Sequence, residues 1–140
     1  MDLRQIYTQI INEHNNNSYH KHHLEDPTVT KDGVNPSCGD EITVELKIKD
    51  GIIADAAFTG YGCAISQASA DMMIDVILGK EIDEAKKLID LFQRMIRNEL
   101  TEEDDLELLE DATSLQDIAH MPARVKCAVL GWHTLEEMLP

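Results

Sequence analysis

Apolar residues recur at helical spacing at the start of the chain, where Leu3, Ile6, Tyr7, Ile10 and Ile11 predict an amphipathic helix. The run Asn15-Asn16-Asn17-Ser18-Tyr19-His20-Lys21-His22-His23 is polar and without period, and predicts a loop. Pro27 and Asp32-Gly33 punctuate a short extended segment over residues 28–34. The period then becomes two. Ile42, Val44, Leu46 and Ile48 alternate with Thr43, Glu45, Lys47 and Lys49; Asp50-Gly51 marks a two-residue hairpin turn, and residues 52–59 return as the partner strand.

Past Gly60-Tyr61-Gly62 the spacing changes again. Ile65, Ala68, Met72, Met73, Val76 and Ile77 fit a helix that Gly79 terminates. Residues 81–98 predict a second helix with Ala85, Leu88, Ile89, Phe92 and Ile96 on one face. Thr101-Glu102-Glu103-Asp104-Asp105 predicts an N-cap followed by acids in the first turn of a short helix. Thr113 or Ser114 caps a further turn carrying Leu115 and Ile118, and Pro122 opens the last helix, with Val125, Ala128, Val129, Trp132 and Leu135 on its buried side. Met72, Met73, Met95 and Met138 fall at core spacing. The expected fold class is α+β, a small antiparallel sheet with helices packed on one face.

At 140 residues, with no internal repeat or linker, a single domain over residues 1–140 is expected. The formal net charge of −15 argues against nucleic acid and against anionic membrane surfaces, and suits docking on a basic protein patch. No apolar run approaches the roughly 20 residues of a membrane span. Met1-Asp2-Leu3-Arg4-Gln5 lacks the basic-then-apolar pattern of a secretory signal. Three cysteines, an odd number in such a chain, point to free thiols or metal rather than disulfides. A reduced, cytoplasmic monomer is expected.

Those cysteines carry the chemistry. Cys38 lies in Asn35-Pro36-Ser37-Cys38-Gly39-Asp40, Cys63 in Gly60-Tyr61-Gly62-Cys63, and Cys127 in Pro122-Ala123-Arg124-Val125-Lys126-Cys127. On the predicted outline they fall before the first confident strand, at the start of the first long helix, and in the first turns of the last one. Three element ends can thus converge on one pole of the sheet. With Asp40 as a fourth donor, three thiolates and a carboxylate suit zinc or iron–sulfur chemistry. Gly60 and Gly62 permit a tight strand-to-helix turn, and a helix N-terminus favours the Cys63 thiolate. Arg124, three residues before Cys127, shares its helix face and can lower the thiol pKa or hold a sulfur anion.

Taken singly, Cys127 reads as a small buried hydrophobe, Asp40 as a turn residue, Gly60-Tyr61-Gly62 as a turn and Arg124 as a surface charge. Jointly, three cysteines at element boundaries flanked by turn residues outweigh those readings. His20, His22 and His23 form a weaker metal candidate, and an exposed polar loop is the favoured reading. His120 and His133 read as surface or helix-end residues. Ser66 and Ser69 have no histidine partner for a hydrolase, and Asp71 and Asp75 are expected on the solvated side of their helix.

The three cysteine contexts resemble the U-type iron–sulfur cluster assembly family, comprising IscU, SufU and the N-terminal domain of NifU. Asn35-Pro36-Ser37-Cys38-Gly39-Asp40 is similar to its first motif. Gly62-Cys63 with Ile65-Ser66-Gln67-Ala68-Ser69-Ala70 is similar to its second, and Arg124-Val125-Lys126-Cys127 with Trp132 to its third. The resemblance covers nearly the whole chain. It implies an α+β fold with a three-stranded antiparallel sheet packed against several helices. It also implies Cys38, Asp40, Cys63 and Cys127 as metal ligands. Two departures from the IscU branch stand out. Lys126 replaces a histidine before the third cysteine, and Met121-Pro122-Ala123-Arg124-Val125 matches the Leu-Pro-Pro-Val-Lys chaperone-docking motif poorly. A longer interval around residues 98–117 and an arginine near the third cysteine are features of SufU.

The SufU-like reading implies a zinc-dependent sulfurtransferase, with a PLP-dependent cysteine desulfurase as partner and downstream iron–sulfur assembly proteins as recipients. Cys38 is then the persulfide acceptor, with Cys127 beside Arg124 as second choice. Two alternatives stand beside it: a scaffold that binds iron and builds a [2Fe–2S] cluster on the same residues, and a non-catalytic structural zinc module.

Overall fold

The computed structural model describes residues 3–140, and all their side chains except those of residues 3, 4, 6 and 7. The expectation that Leu3, Ile6 and Tyr7 face inward therefore lies outside the described residues, as do Met1 and Asp2. The elements run in chain order α1 (Leu3–Asn16), β1 (Val29–Asn35), β2 (Asp40–Lys49), β3 (Ile52–Tyr61), α2 (Ala64–Ile77) and α3 (Ile82–Ile96). A kinked 3₁₀ segment (Leu106–His120) and α4 (Pro122–Met138) complete the chain. No described helix is long and apolar enough to cross a membrane.

The strands form an antiparallel meander in the order β1-β2-β3. Asp50 and Gly51 both adopt positive φ (54° and 76°), the left-handed pair that a two-residue hairpin turn needs to match strand twist. Pairing of Asn35 with Asp40 and of Glu41 with Tyr61 brings the β1–β2 turn and the end of β3 to the same end of the sheet. The alternation read from the sequence holds for Ile42, Val44 and Leu46, which are fully buried, but Glu45 between them is buried too, where His23 meets it, and the register shifts between Lys47 and Ile48.

Helix α4 covers β1 and β2, while α2 covers β3 and α1 and α3 pack outside them. The closest approach is at Gly33, where a Cβ would stand 2.0 Å from Thr134 Oγ1. Helix α2 is buried on nearly every side, from Ser66 through Ile74 and again at Val76 and Ile77. It is joined to α4 by a polar link. Trp132 Nε1–H donates to Ser69 Oγ (3.0 Å), and the Ser69 hydroxyl donates to the Ala128 carbonyl (2.6 Å). Trp132 also stacks on Phe92 of α3, with ring centroids 4.0 Å apart. Ser69 is thus a core linker.

Three expectations are corrected. Thr101 caps no helix: its N–H and hydroxyl donate to Asp104 Oδ2, while Asp105 caps the 3₁₀ segment through the Glu107 N–H. Thr113 and Ser114 donate back to the carbonyls of Glu110 and Asp111 instead of capping a turn. The segment bends at Glu110 (φ 49°, ψ −132°). Asp71 is fully buried, because α2 is enclosed by its neighbours where an amphipathic surface helix would leave a wet face.

Gly33→Ala is expected to lower stability in urea by about 1–3 kcal/mol through overpacking, and Thr134→Ala in the same chain to return much of it. A Gly33→Ala variant as stable as the parent would contradict this packing. Arg94 donates to Asp104 (2.7 Å), and with the Thr101 N–H holds that carboxyl at about 2, below its ordinary 3.8. A depressed carboxyl stabilises the fold above pH 3.8 and ceases to do so as pH falls toward 2. The stability gap between the parent and Asp104→Asn should therefore close between pH 4 and 2 in acid titrations followed by circular dichroism.

Candidate metal centre

The turn between β1 and β2 begins with the Cys38 N–H donating to the Asn35 carbonyl (3.3 Å) and ends with Gly39 at φ 71°. It leaves Cys38 exposed and sends the Asp40 side chain inward, where it is fully buried. Asp40 Oδ1 accepts the backbone N–H of Cys63 (2.8 Å), which fastens the start of β2 to the start of α2. Asp40 Oδ2 is buried and has no hydrogen-bond partner. A buried carboxylate oxygen without a donor is costly unless a cation meets it.

Gly62 makes this contact sterically attainable. Its φ is 153°, and a Cβ there would lie 2.3 Å from Asp40 Oδ1 and 2.8 Å from Ser66 Oγ. Cys63 follows as the N-cap residue of α2, half-buried, with its Sγ accepting the Ser66 N–H at 3.5 Å. The sulfur thus sits at the helix N-terminus, the place its position in the sequence predicts.

Cys127 is buried in the second turn of α4, with its Sγ 3.3 Å from that of Cys38. One donor atom each from Cys38, Asp40 and Cys127 lies within 4.8 Å of the other two. Cys63 stands outside this tight trio and is tied to it through Asp40. Burial pushes the Cys127 thiol up, and Cys38, Cys63 and Asp40 push it further in the same direction. Crowded acidic donors of this kind ionise together only when a cation offsets their charge. Three sulfurs and an orphan carboxylate oxygen therefore fit a borderline-soft metal ion.

Arg124 lies exposed on the first turn of α4, with Lys126 exposed two residues on. The environment of Cys127 raises its pKa, against the lowering that an arginine on the same face would supply. Two buried residues contribute what their types alone did not announce. Asn35 Nδ2 points at Cys127 Sγ (4.0 Å), and Gln67, one turn beyond Cys63, has an amide with no partner for either atom. Asn35 was signalled only by its place in the Cys38 motif. His20, His22 and His23 do not converge: His20 bonds Asp75, His23 bonds Glu45, and His22 contacts the His23 carbonyl.

The NifU-like N terminal domain family matches residues 6–139. An iron–sulfur cluster assembly scaffold protein IscU of Thermotoga maritima is 42% identical over 99% of this chain and 96% of its own length. The zinc-dependent sulfurtransferase SufU of Bacillus subtilis is 41% identical over 97% of this chain and 90% of its own. The IscU of Escherichia coli shares 41% identity over only 38% of this chain and 42% of its own. Among solved structures, a protein described as a cluster assembly scaffold for the SUF system of Fervidobacterium islandicum superposes with a TM-score of 0.89 at 34% identity. That match covers 98% of each chain.

Gly62→Ala should displace the Asp40 carboxylate and weaken binding of an added divalent metal, with Zn²⁺ as the probe, about 10–100-fold while the fold persists, as read by competition with a chromophoric chelator. Unchanged affinity would show that Asp40 does not take part in binding.

Proposed function

The chain belongs to the NifU-like N-terminal domain family, and on that premise we propose that it is a sulfur carrier of iron–sulfur cluster assembly. In this reading it acts as one monomeric domain that accepts sulfur from a PLP-dependent cysteine desulfurase and passes it to later assembly proteins. The observation that carries the reading is the division of labour among the thiols: Cys38 is exposed on a turn, whereas Cys127 is buried 3.3 Å behind it and Cys63 caps a helix.

Cys38, Asp40, Cys63 and Cys127 would hold zinc, which keeps coordinating thiols ionised when bound. The remaining chemistry belongs to the side chains. The Cys38 thiolate attacks the outer sulfur of the donor persulfide; the donor S–S bond breaks, a new S–S bond forms on Cys38, and the donor cysteine leaves as thiolate. Exposure governs this step, and Cys38 sits on the part of the site that a partner can reach. Asp40 and Cys63 preserve the pocket through their mutual hydrogen bond while Cys38 reacts. Arg124, exposed at the start of α4, supplies positive charge for the incoming persulfide anion. Cys127, buried and raised in pKa, is the second acceptor.

Lys126 at the place of the IscU histidine supports the carrier reading, as does the 41% identity with the sulfurtransferase SufU. The similarly close Thermotoga maritima relative favours a second reading, in which iron and sulfide are substrates assembled on the same four residues. The exposure of Cys38 disfavours a closed structural zinc module.

Desulfurase turnover measured anaerobically without iron decides between them. The zinc-loaded protein is expected to stimulate turnover strongly and the metal-free protein weakly, and Cys38→Ala to reduce persulfide loading to background with the fold retained. Loading undiminished in Cys38→Ala would transfer the acceptor role to Cys127. Absent stimulation, with a coloured cluster forming once iron is added, would establish the scaffold instead.

A further inference from the structure

A second constellation of ligating side chains lies further along α2. Asp71 follows Cys63 by eight residues, about 12 Å along the helix axis, and is fully buried. His14 of α1 places Nδ1 2.7 Å from Asp71 Oδ2 and Nε2 2.9 Å from Asp111 Oδ2. His20, in the loop after α1, donates its backbone N–H to Asp71 Oδ1 (3.0 Å) and sets Nε2 2.7 Å from Asp75 Oδ1. One donor atom each of His14, Asp71 and Asp75 lies within 4.8 Å of the other two. A cavity of about 260 Å³ opens beside them, lined by Glu13, His14, Asn17, Tyr19, Asp75 and Asp111.

The charges do not balance as they stand. Three carboxylates, one wholly buried, face two imidazoles. A neutral imidazole has a single N–H, yet both ring nitrogens of His14 meet carboxylate oxygens. One of those contacts requires an additional positive charge, either a proton on the ring or a metal ion beside it. The donor atoms of His14, Asp71 and Asp75, close together beside an open cavity, leave a place for the ion, and the outer contacts are compatible with it. A carboxylate on the remote nitrogen of a histidine and an N–H on the second oxygen of an aspartate are the contacts that orient metal ligands. Asp111 and the His20 backbone supply these two contacts.

We propose that His14, Asp71 and Asp75 form a second divalent-metal site that clasps α1 onto α2. Its donors are nitrogen and oxygen alone, which suits a first-row ion such as Zn²⁺ or Mn²⁺ and separates it chemically from the thiolate centre. The site is independent of sulfur transfer, because none of its residues touches the three cysteines.

Anaerobic Co²⁺ titration of the full chain tests this, because cobalt on thiolates gives an intense near-ultraviolet charge-transfer band and cobalt on imidazole and carboxylate does not. Two equivalents are expected to bind, one with the thiolate band and one with weak visible bands only. Asp75→Asn should abolish the second equivalent and leave the thiolate band intact, whereas Asp111→Asn should weaken the second about 10–100-fold. Loss of the thiolate band with the Asp75-dependent equivalent retained would count against the sulfur-carrier reading and for the second site. Binding of a single equivalent, carrying the thiolate band and indifferent to Asp75→Asn, would overturn the proposal and leave His14 as a protonated ionic clasp. So would a second equivalent that binds Asp75→Asn with unchanged affinity.

Discussion

The hydrogen bond from the Cys63 N–H to the buried Asp40 carboxylate is the contact on which the sulfur-bearing pole depends. It joins the first residue of β2 to the residue that caps α2, across the end of the sheet. Through the short turn 36–39 it also fixes Cys38, two residues away. A Cβ at position 62 would occupy the space this carboxylate needs. With one oxygen committed to the backbone, Asp40 keeps its other oxygen buried and unpaired near Cys127, whose burial already resists ionisation. An unmet demand for positive charge is thus concentrated at one point, which distinguishes this candidate metal centre from a turn with a cysteine beside it.

The third sulfur is held by different means. Cys127 belongs to α4, and its position relative to Cys63 is set by the packing of α4 on α2. The Trp132–Ser69–Ala128 link and the Phe92–Trp132 stack make that packing specific. Gly33 allows β1 to lie directly on α4, so the strand that leads into the Cys38 turn is set against the helix that carries Cys127. Cys38 and Cys127 therefore meet at 3.3 Å although 89 residues separate them in sequence. A packed frame beneath thus carries an exposed thiol on a turn above.

Helix α2 serves both ends of the molecule. Its N-terminus presents Cys63, while its middle turns bury Asp71 against His14 and the His20 backbone. Burying a carboxylate on a central helix demands partners, and these come from His14 of α1 and the His20 backbone in the loop that follows it, while the bend at Glu110 delivers Asp111 to the other ring nitrogen of His14. The histidine-rich loop consequently lies against the sheet edge, with the Phe58 N–H donating to the His20 carbonyl, and His20 and His23 meet separate acidic partners while His22 meets the His23 carbonyl.

Local periodicity determined much of this by itself. The Asp50-Gly51 hairpin, the alternation of Ile42, Val44 and Leu46, the Gly79 stop and the apolar face of α3 depend on contacts a few residues apart, and each stands in the structure as the residue pattern predicts. The cysteine motifs were equally legible, because glycine, proline and aspartate at fixed offsets announce the turns that aim the sulfurs. What only the tertiary structure decided depends on which faces are enclosed. Asp71 reads as solvated until α1 and the loop cover it, and Arg124 reads as a thiol activator until burial is seen to dominate Cys127. Asn35 and Gln67 read as ordinary polar residues until their amides are found buried beside the cysteines or without partners. Spacing along the chain specifies the local direction of a side chain. Its solvation, and hence its charge and chemistry, is set by neighbours that the chain brings from far away.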